Sequence, residues 1–435
     1  MARSSLLSSL LSNIAEAPGK WLGGNSGSAT TADKLIEQCE RLVSSVGEAS
    51  GVALAQDVLT SYAALDGTAQ QEFFTRLAED FDPAPDTVLK AASAFAEDNS
   101  SKALKALMAT VEPRRRALFR KLNQAPGGTE ALVRMREDLL PLLREHSQLK
   151  RVDADFEFLF NAWFNRGFLV LYAIDWSFPA NVLEKLLEYE AVHEIHSWDD
   201  LKDRVQPSDR RCFAFFHPAM PDEPLIFVQV ALMKDMPATI GEVLDPERET
   251  LRAEEATTAV FYSISNCQVG LRGVSFGNFL IKQVASDLSA DLPNLKTFCT
   301  LSPVPSFASW VAQRRDKEDA ASRLLQIETG DHWPEDDGLR NEAKGLLEPL
   351  AARYFLKEPR ADKQPVDPVA RFHLGNGAIL DRLNFGGNFS ERGREESFGL
   401  MVNYRYDLAK VEENHEAYVN EGVIKASKSV SDLAK

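Results

Sequence analysis

The sequence predicts an α+β protein in which an all-α helical bundle domain, residues 30–165, precedes an α/β domain, residues 166–435. Residues 1–29 read as a flexible N-terminus. Three observations carry this division. Between 30 and 165, apolar residues recur at helical spacing in segment after segment, without a strand signal. After about 165, short apolar runs bounded by proline-containing turns take over. Within that second half a strand, a glycine-bearing loop, a helix and another strand follow in turn.

Taken in order, Leu35, Ile36, Cys39, Leu42, Val43 and Val46 make one helical stripe behind a capping threonine. Thr68 followed by Gln71 predicts a capping box ahead of Phe73, Phe74, Leu77 and Phe81. Asp86 opens another helix, and Thr129 a further one through Leu132, Met135, Leu139 and Leu143. Turns at Asp82-Pro83-Ala84-Pro85 and Pro126-Gly127-Gly128 separate them. No buried carboxylate or histidine pattern is evident in this half, so packing, shaping and assembly are its expected work. In the second half, residues 212–216, 225–232, 258–265 and 296–301 are predicted strands, with a helix over 278–288. The charged stretch 312–345 is expected to be a surface insertion or a helical excursion.

Composition bounds the function. Over 435 residues, 44% hydrophobic and 26% charged describe an ordinary soluble globular chain with room for two or three domains. No apolar run approaches the roughly 18 residues a membrane span requires. A formal charge of −16 excludes a global basic field for nucleic acid. Arg114, Arg115, Arg116, Arg120 and Lys121 are expected to form a solvated helix face. Four scattered cysteines match neither a zinc pattern nor a disulfide framework, and suit a reducing compartment. The first twenty residues carry only Arg3 and Lys20 as basic groups and read as a frayed start. The closing Leu-Ala-Lys is no peroxisomal address, so cytoplasm is expected.

Three segments could carry chemistry. In Asp367-Pro-Val-Ala-Arg-Phe-His-Leu-Gly-Asn-Gly-Ala378, Asp367 caps a helix and Pro368 fits its first turn. His373 then precedes a turn at Gly375-Asn376-Gly377 whose backbone N–H groups are expected to be free, and Asn376 and Gly377 are candidate oxyanion donors. A helix-ending histidine without a task fits the segment as well. The loop Arg272, Gly273, Val274, Ser275, Phe276, Gly277, Asn278 runs from a strand end towards a helix start, where phosphate is favoured. It is neither a Walker A loop nor GxGxxG, and an ordinary tight turn fits it equally. Ser302, followed by Pro-Val-Pro, sits where the chain must leave the sheet and a side chain can face a cleft, though a plain strand exit is also served. His193-Glu194-Ile195-His196 has i,i+3 spacing and no third ligand, so it is read as surface and no metal is expected.

Several segments together resemble the malonyl-CoA decarboxylase family. They are Phe261-Tyr-Ser-Ile-Ser265, Gly270-Leu-x-Gly273, Phe279-Leu-Ile-Lys282, Leu301-Ser-Pro-x-Pro305, Phe372-His-Leu-x-Asn-Gly-Ala378, Gly399-Leu-Met401, Asn403-Tyr-Arg-Tyr406 and Ile424-Lys-Ala-Ser427. His217-Pro-x-x-Pro-x-Glu-Pro-Leu225 is similar too. The resemblance implies a GCN5-related N-acetyltransferase-like (GNAT) second domain that binds malonyl-CoA and acetyl-CoA. It also implies a Ser302–His373 pair, a CoA-contacting loop at 272–278, Tyr406 near the thioester, and self-association as a dimer or tetramer. No metal or organic cofactor is implied, CoA being part of the substrate. Where some relatives carry a loop glutamate, this chain has Ser275, which leaves no loop carboxylate to orient His373. A histidine of ordinary pKa, near ~6.5, would be expected to protonate a thioester enolate at neutral pH. An acyl-CoA transferase of the same fold, a Ser/His thioesterase, and a helical scaffold that merely binds CoA are the competing readings.

Overall fold

The computed structural model describes residues 31–274, 280–330, 332–358 and 364–435. The chain divides into two compact units. One is helical and includes, besides the N-terminal half, Phe216–Pro224 and a stretch beginning at Gln268; the other holds the sheet.

In the helical unit, helices span Ala32–Ser44, Glu48–Ala63, Gly67–Asp80, Pro85–Asp98, Ser101–Val111, Arg114–Leu122, Gly128–Leu139 and Lys150–Trp163. The stripes around Leu35 and Phe73 meet in one core, where Leu35, Cys39, Leu42, Phe73, Phe74, Leu118, Phe119, Phe156 and Phe160 are buried. Val46, expected in the first stripe, lies beyond the helix end and is exposed, and the helix at Asp86 buries none of its residues. Phe119 stacks on Phe156 with ring centroids 4.1 Å apart. Thr31 caps the first helix by accepting from the Lys34 N–H. The box predicted at Thr68 is corrected: the helix starts earlier, and Asp66 accepts from the Ala69 N–H at 2.9 Å. An aspartate two positions upstream offers a stronger acceptor for the same orphan donors.

Two further expectations for this unit are corrected. The basic cluster is not one solvated face. Arg115 is buried and pairs with Asp82 and Asp155, Arg116 reaches Asp155 as well, and Arg114 and Arg120 stay outside on Glu40 and Glu112. Lys121 donates to the carbonyls of Leu42 at 2.8 Å and Ser45 at 2.7 Å, closing the C-terminal end of Ala32–Ser44. The unit also holds a buried carboxylate after all, because Asp155 is 2% exposed. Its charge is tolerated because two guanidiniums satisfy it.

In the second unit, strands β1 (Val170–Ile174), β2 (Arg210–Phe216), β3 (Ile226–Met233), β4 (Thr258–Asn266), β5 (Thr297–Thr300), β6 (Ser302–Pro303), β7 (Ile379–Asn384) and β8 (Met401–Tyr406) form one sheet among the described residues. The order is β1-β2-β3-β4-β5-β8-β6, with β7 also on β8. β2, β3 and β4 run antiparallel; β4 and β5 are parallel, joined through the helix Leu280–Asp291. Central strands read as near-continuous apolar runs because both faces are covered, and Val228, Val230, Val260, Cys299 and Val402 are fully buried. The charged stretch after 312 folds into helices Asp319–Glu328 and Asp337–Leu356, the helical excursion of the two options. All four cysteines are buried and free of disulfides.

Candidate active site

The site forms where two parallel strands part. β4 and β5 pair up to Phe261 and Thr300, and the Leu301 N–H still reaches the Phe261 carbonyl at 3.1 Å. Beyond that point the second half of β4 and the Ser302-Pro303 segment separate, as the Pro-Val-Pro sequence requires. β5 and β6 share one register along β8 but are interrupted at Thr300–Leu301. There side chains replace the ladder: Thr300 Oγ1 accepts the Tyr404 N–H at 3.2 Å, and the Asn403 amide donates to the Thr300 carbonyl at 2.8 Å.

A cavity of about 240 Å³ opens in this gap. Phe261, Tyr262, Ile264 and Asn266 of β4 line one wall, Ser302 and Pro303 another, and Phe372 and His373 a third. The helix Pro368–Gly375 brings His373 there, with Asp367 as its cap and Pro368 in its first turn, as predicted. Asp367 is fully buried; it accepts from the Ala370 N–H at 2.9 Å and from the Tyr354 hydroxyl at 3.3 Å. Burial pushes its carboxyl up from 3.8 to about 6.

Ser302 and His373, 71 positions apart, converge: Ser302 Oγ lies 3.1 Å from His373 Nε2, and both are buried. Ser302 also bonds Thr300 Oγ1 at 2.8 Å. On the other side of the imidazole, Nδ1 lies 2.8 Å from the Tyr406 hydroxyl, and the Tyr404 ring stacks on the imidazole with centroids 4.7 Å apart. Tyr406 therefore backs the histidine. Burial alone drives the imidazole from 6.5 down to about 3, so His373 is neutral at pH 7 and the ordinary-pKa expectation is corrected. A neutral imidazole has one donor and one acceptor nitrogen. The chain Tyr406–His373–Ser302–Thr300 is thus a line of hydrogen bonds whose polarity can reverse by one proton moving per link.

The remaining candidates fare differently. The turn after His373 offers no spare donors. Asn376 N–H goes to the Phe372 and His373 carbonyls, Gly377 N–H to Leu374 and Ala378 N–H to His373, while the Asn376 amide returns to Phe372 at 2.7 Å. The helix C-terminus consumes them, which corrects the expectation of free donors at Asn376 and Gly377. Gly377, at φ +80°, is required because a Cβ would meet the Val411 carbonyl at 2.0 Å. Arg272, Gly273 and Val274 are described and belong to the helical unit, whereas Ser275, Phe276, Gly277 and Asn278 lie outside the described residues. Of the His193–His196 stretch, Glu194 and His196 are exposed as expected, whereas His193 is half-buried with its ring near Tyr262, and desolvation lowers its pKa to about 3. Among the described residues, no cluster of three or more candidate ligands could hold a metal.

Thr300 was not singled out by the sequence, and Asn403 and Tyr404 entered only within the segment Asn403-Tyr-Arg-Tyr406, without a role. Strand alternation held the signal, since Thr300 and Ser302, and likewise Tyr404 and Tyr406, stand two apart and share a face.

Comparison with known proteins places these features in context. Residues 167–435 match the model of the malonyl-CoA decarboxylase C-terminal domain, and residues 81–164 that of the malonyl-CoA decarboxylase N-terminal domain. The mitochondrial malonyl-CoA decarboxylase of Anser anser anser is 39% identical over 348 residues, 73% of this chain and 69% of the relative. That of Rattus norvegicus is 36% identical over 351 residues, 74% and 71% respectively. Among solved structures, malonyl-CoA decarboxylase from Rhodopseudomonas palustris superposes with a TM-score of 0.89 at 52% identity, covering 92% of this chain and 99% of that one. The Agrobacterium vitis structure gives 0.88 at 50% identity over the same shares.

Proposed function

This chain belongs to the malonyl-CoA decarboxylase family, and on that premise we propose that it converts malonyl-CoA to acetyl-CoA and CO2 with His373 and Ser302 as its proton-handling pair. The observation that supports this most directly is the 3.1 Å contact between Ser302 Oγ and His373 Nε2 in the wall of the cavity.

The substrate supplies its own electron sink. As the C–C bond to the carboxylate breaks, its electron pair moves into the thioester carbonyl, CO2 departs and a thioester enolate remains. The reading therefore calls for no metal and no organic cofactor. The protein's part is to hold the breaking bond perpendicular to the thioester plane, donate to the enolate oxygen, and protonate carbon. A cavity of about 240 Å³ suits the malonyl end and not the whole of a CoA thioester.

His373 supplies the proton. A thioester enolate is basic enough to take one from a neutral imidazole, so the low pKa of His373 is no obstacle. Ser302 hydrogen-bonds the carboxylate or thioester and relays the proton. As Nε2 gives up its hydrogen, the Tyr406 hydroxyl returns one to Nδ1, and solvent restores the chain after product leaves. One proton is consumed per turnover, which balances the loss of a carboxylate as CO2.

The test is incubation of the purified chain with malonyl-CoA in the presence of a chelator, following CO2 and free thiol together. Stoichiometric CO2 with no thiol is expected. Free thiol without CO2 would make it a thioesterase, and binding without either product a CoA-binding scaffold. A dependence on an acceptor amine would point instead to the transferase reading.

A cytoplasmic enzyme of fatty acid metabolism that associates with its own copies, as a homodimer or homotetramer, belongs to the same reading. Self-association is supported by the helices Pro85–Asp98 and Ser101–Val111, which contain no buried residue and expose Leu89 at 67% and Met108 at 63%. Sedimentation of the purified chain tests this; a monomer at micromolar concentration would remove it. No helix among the described residues is long and apolar enough to cross a membrane.

A further inference from the structure

The stretch from Gln268 to Val274 leads into the loop assigned to CoA, and three contacts within the helical unit fix its course. Gly270 lies so close to the helix Gly128–Leu139 that a Cβ would fall 1.9 Å from the Val133 carbonyl. Gly273 takes φ +84°, and its Cβ position is 2.9 Å from a Glu157 carboxylate oxygen of the helix Lys150–Trp163. Between them the Arg136 guanidinium donates through Nη1 to the Gly270 carbonyl at 2.9 Å and the Arg272 carbonyl at 2.8 Å.

Arg136 is 1% exposed, and nothing about a helix interior calls for a buried cation there. Its charge is balanced by Asp153 at 2.7 Å on Nε and Glu157 at 2.9 Å on Nη2. A planar fork can hold two carboxylates and two carbonyls in one fixed geometry, which a single ammonium cannot. The two carbonyls it takes flank Leu271, so Arg136 holds the backbone on which the exposed Arg272 stands.

We propose that Arg136 is a positioning residue for acyl-CoA binding, acting through Arg272 from the helical half of the chain. The inference rests on the reading of Arg272 as a CoA contact. It gives that half a specific task beyond packing: it fixes the approach of an anionic ligand to the loop.

The test is steady-state kinetics with malonyl-CoA for Arg136→Lys, Arg136→Met, Arg272→Ala and the Arg136→Lys/Arg272→Ala double variant, with thermal melts alongside. Losing one charge-assisted hydrogen bond corresponds to roughly a tenfold change. Expected is a KM raised about tenfold in each single variant, with kcat within about threefold of the parent. The double variant should have the KM of Arg272→Ala, because a residue acting through Arg272 adds nothing once Arg272 is gone. Additive KM effects, or a fall in kcat alone, would overturn the inference while leaving Arg272 as a CoA contact. An unchanged KM in Arg272→Ala would overturn the reading of the loop and the inference with it. If Arg136→Met does not fold, Gly270→Ala displaces the loop with Arg136 intact. It must then raise KM in the same way, and an unchanged KM there counts against the inference.

Discussion

The Tyr406 hydroxyl lies 2.8 Å from His373 Nδ1, at the ring nitrogen that does not face Ser302. This phenol orients the imidazole from within the sheet, in a chain whose sequence has Ser275 and no carboxylate at that loop position. A neutral partner leaves the imidazole neutral, where a buried carboxylate would favour the imidazolium. Tyr406→Phe removes this bond and strands a buried ring nitrogen, at about 1–3 kcal/mol. The expected outcome is a fall in kcat of roughly tenfold to a hundredfold, with CoA affinity unchanged by calorimetry. A wild-type kcat would show that Tyr406 does not support the histidine.

Removing either member of the central pair should separate chemistry from binding. His373→Ala and Ser302→Ala are each expected to lower kcat by about 10²–10⁴, the usual worth of a positioned proton-transfer group. The double variant should be little worse than either single one, because the two act as a unit. Binding of acetyl-CoA should persist in all three. Turnover near the parent's in either single variant would remove the assignment.

Much of this architecture was legible because local signals agreed with the fold. The Asp367-Pro368 start of the helix that carries His373, the strand exit at Ser302 and the strand runs from 212 onward each follow from a short-range rule. What was illegible depends on contacts between distant segments. Nothing near Arg115 announces that Asp155, 40 positions away, will draw it inward. Likewise, whether the N–H groups at Asn376 and Gly377 are free depends on how tightly the helix end closes, and sequence alone does not give that. The low pKa of His373 is a burial effect, so it emerged only once Tyr404, Tyr406 and Ser302 were seen around the ring.

The buried Arg115–Asp155 pair makes a stability prediction independent of catalysis. Asp155→Ala takes from the buried Arg115 one of its two carboxylates, leaving Asp82, and removes the carboxylate that Arg116 reaches, and should cost about 3 kcal/mol. Glu112→Ala, which breaks the exposed pair with Arg120, should cost at most about 1 kcal/mol. Urea midpoints measure both, and equal losses would contradict the burial of Asp155.

Asp367 and His373 stand six positions apart and load the fold in opposite directions. Asp367 has its folded pKa raised from 3.8 to about 6 by burial. Between those values the folded chain holds a proton that the unfolded chain has released, so stability falls as pH rises through the window. His373 has its folded pKa lowered from 6.5 to about 3. Over that span the unfolded chain holds the extra proton, so stability rises with pH. Each contributes a slope of about 1.4 kcal/mol per pH unit where its window is fully open. In the parent the two nearly cancel between about pH 4 and 6. Asp367→Asn keeps a capping side chain and should unmask the histidine, so its stability relative to the parent climbs from pH 4 to 6. His373→Gln should unmask the aspartate and show the reverse trend. Urea unfolding at three pH values in that range measures both differences, and two variants running parallel to the parent would overturn the assignment of these groups. The same neutrality of His373 predicts a kcat profile without an inflection near 6.5, the value an exposed histidine would impose.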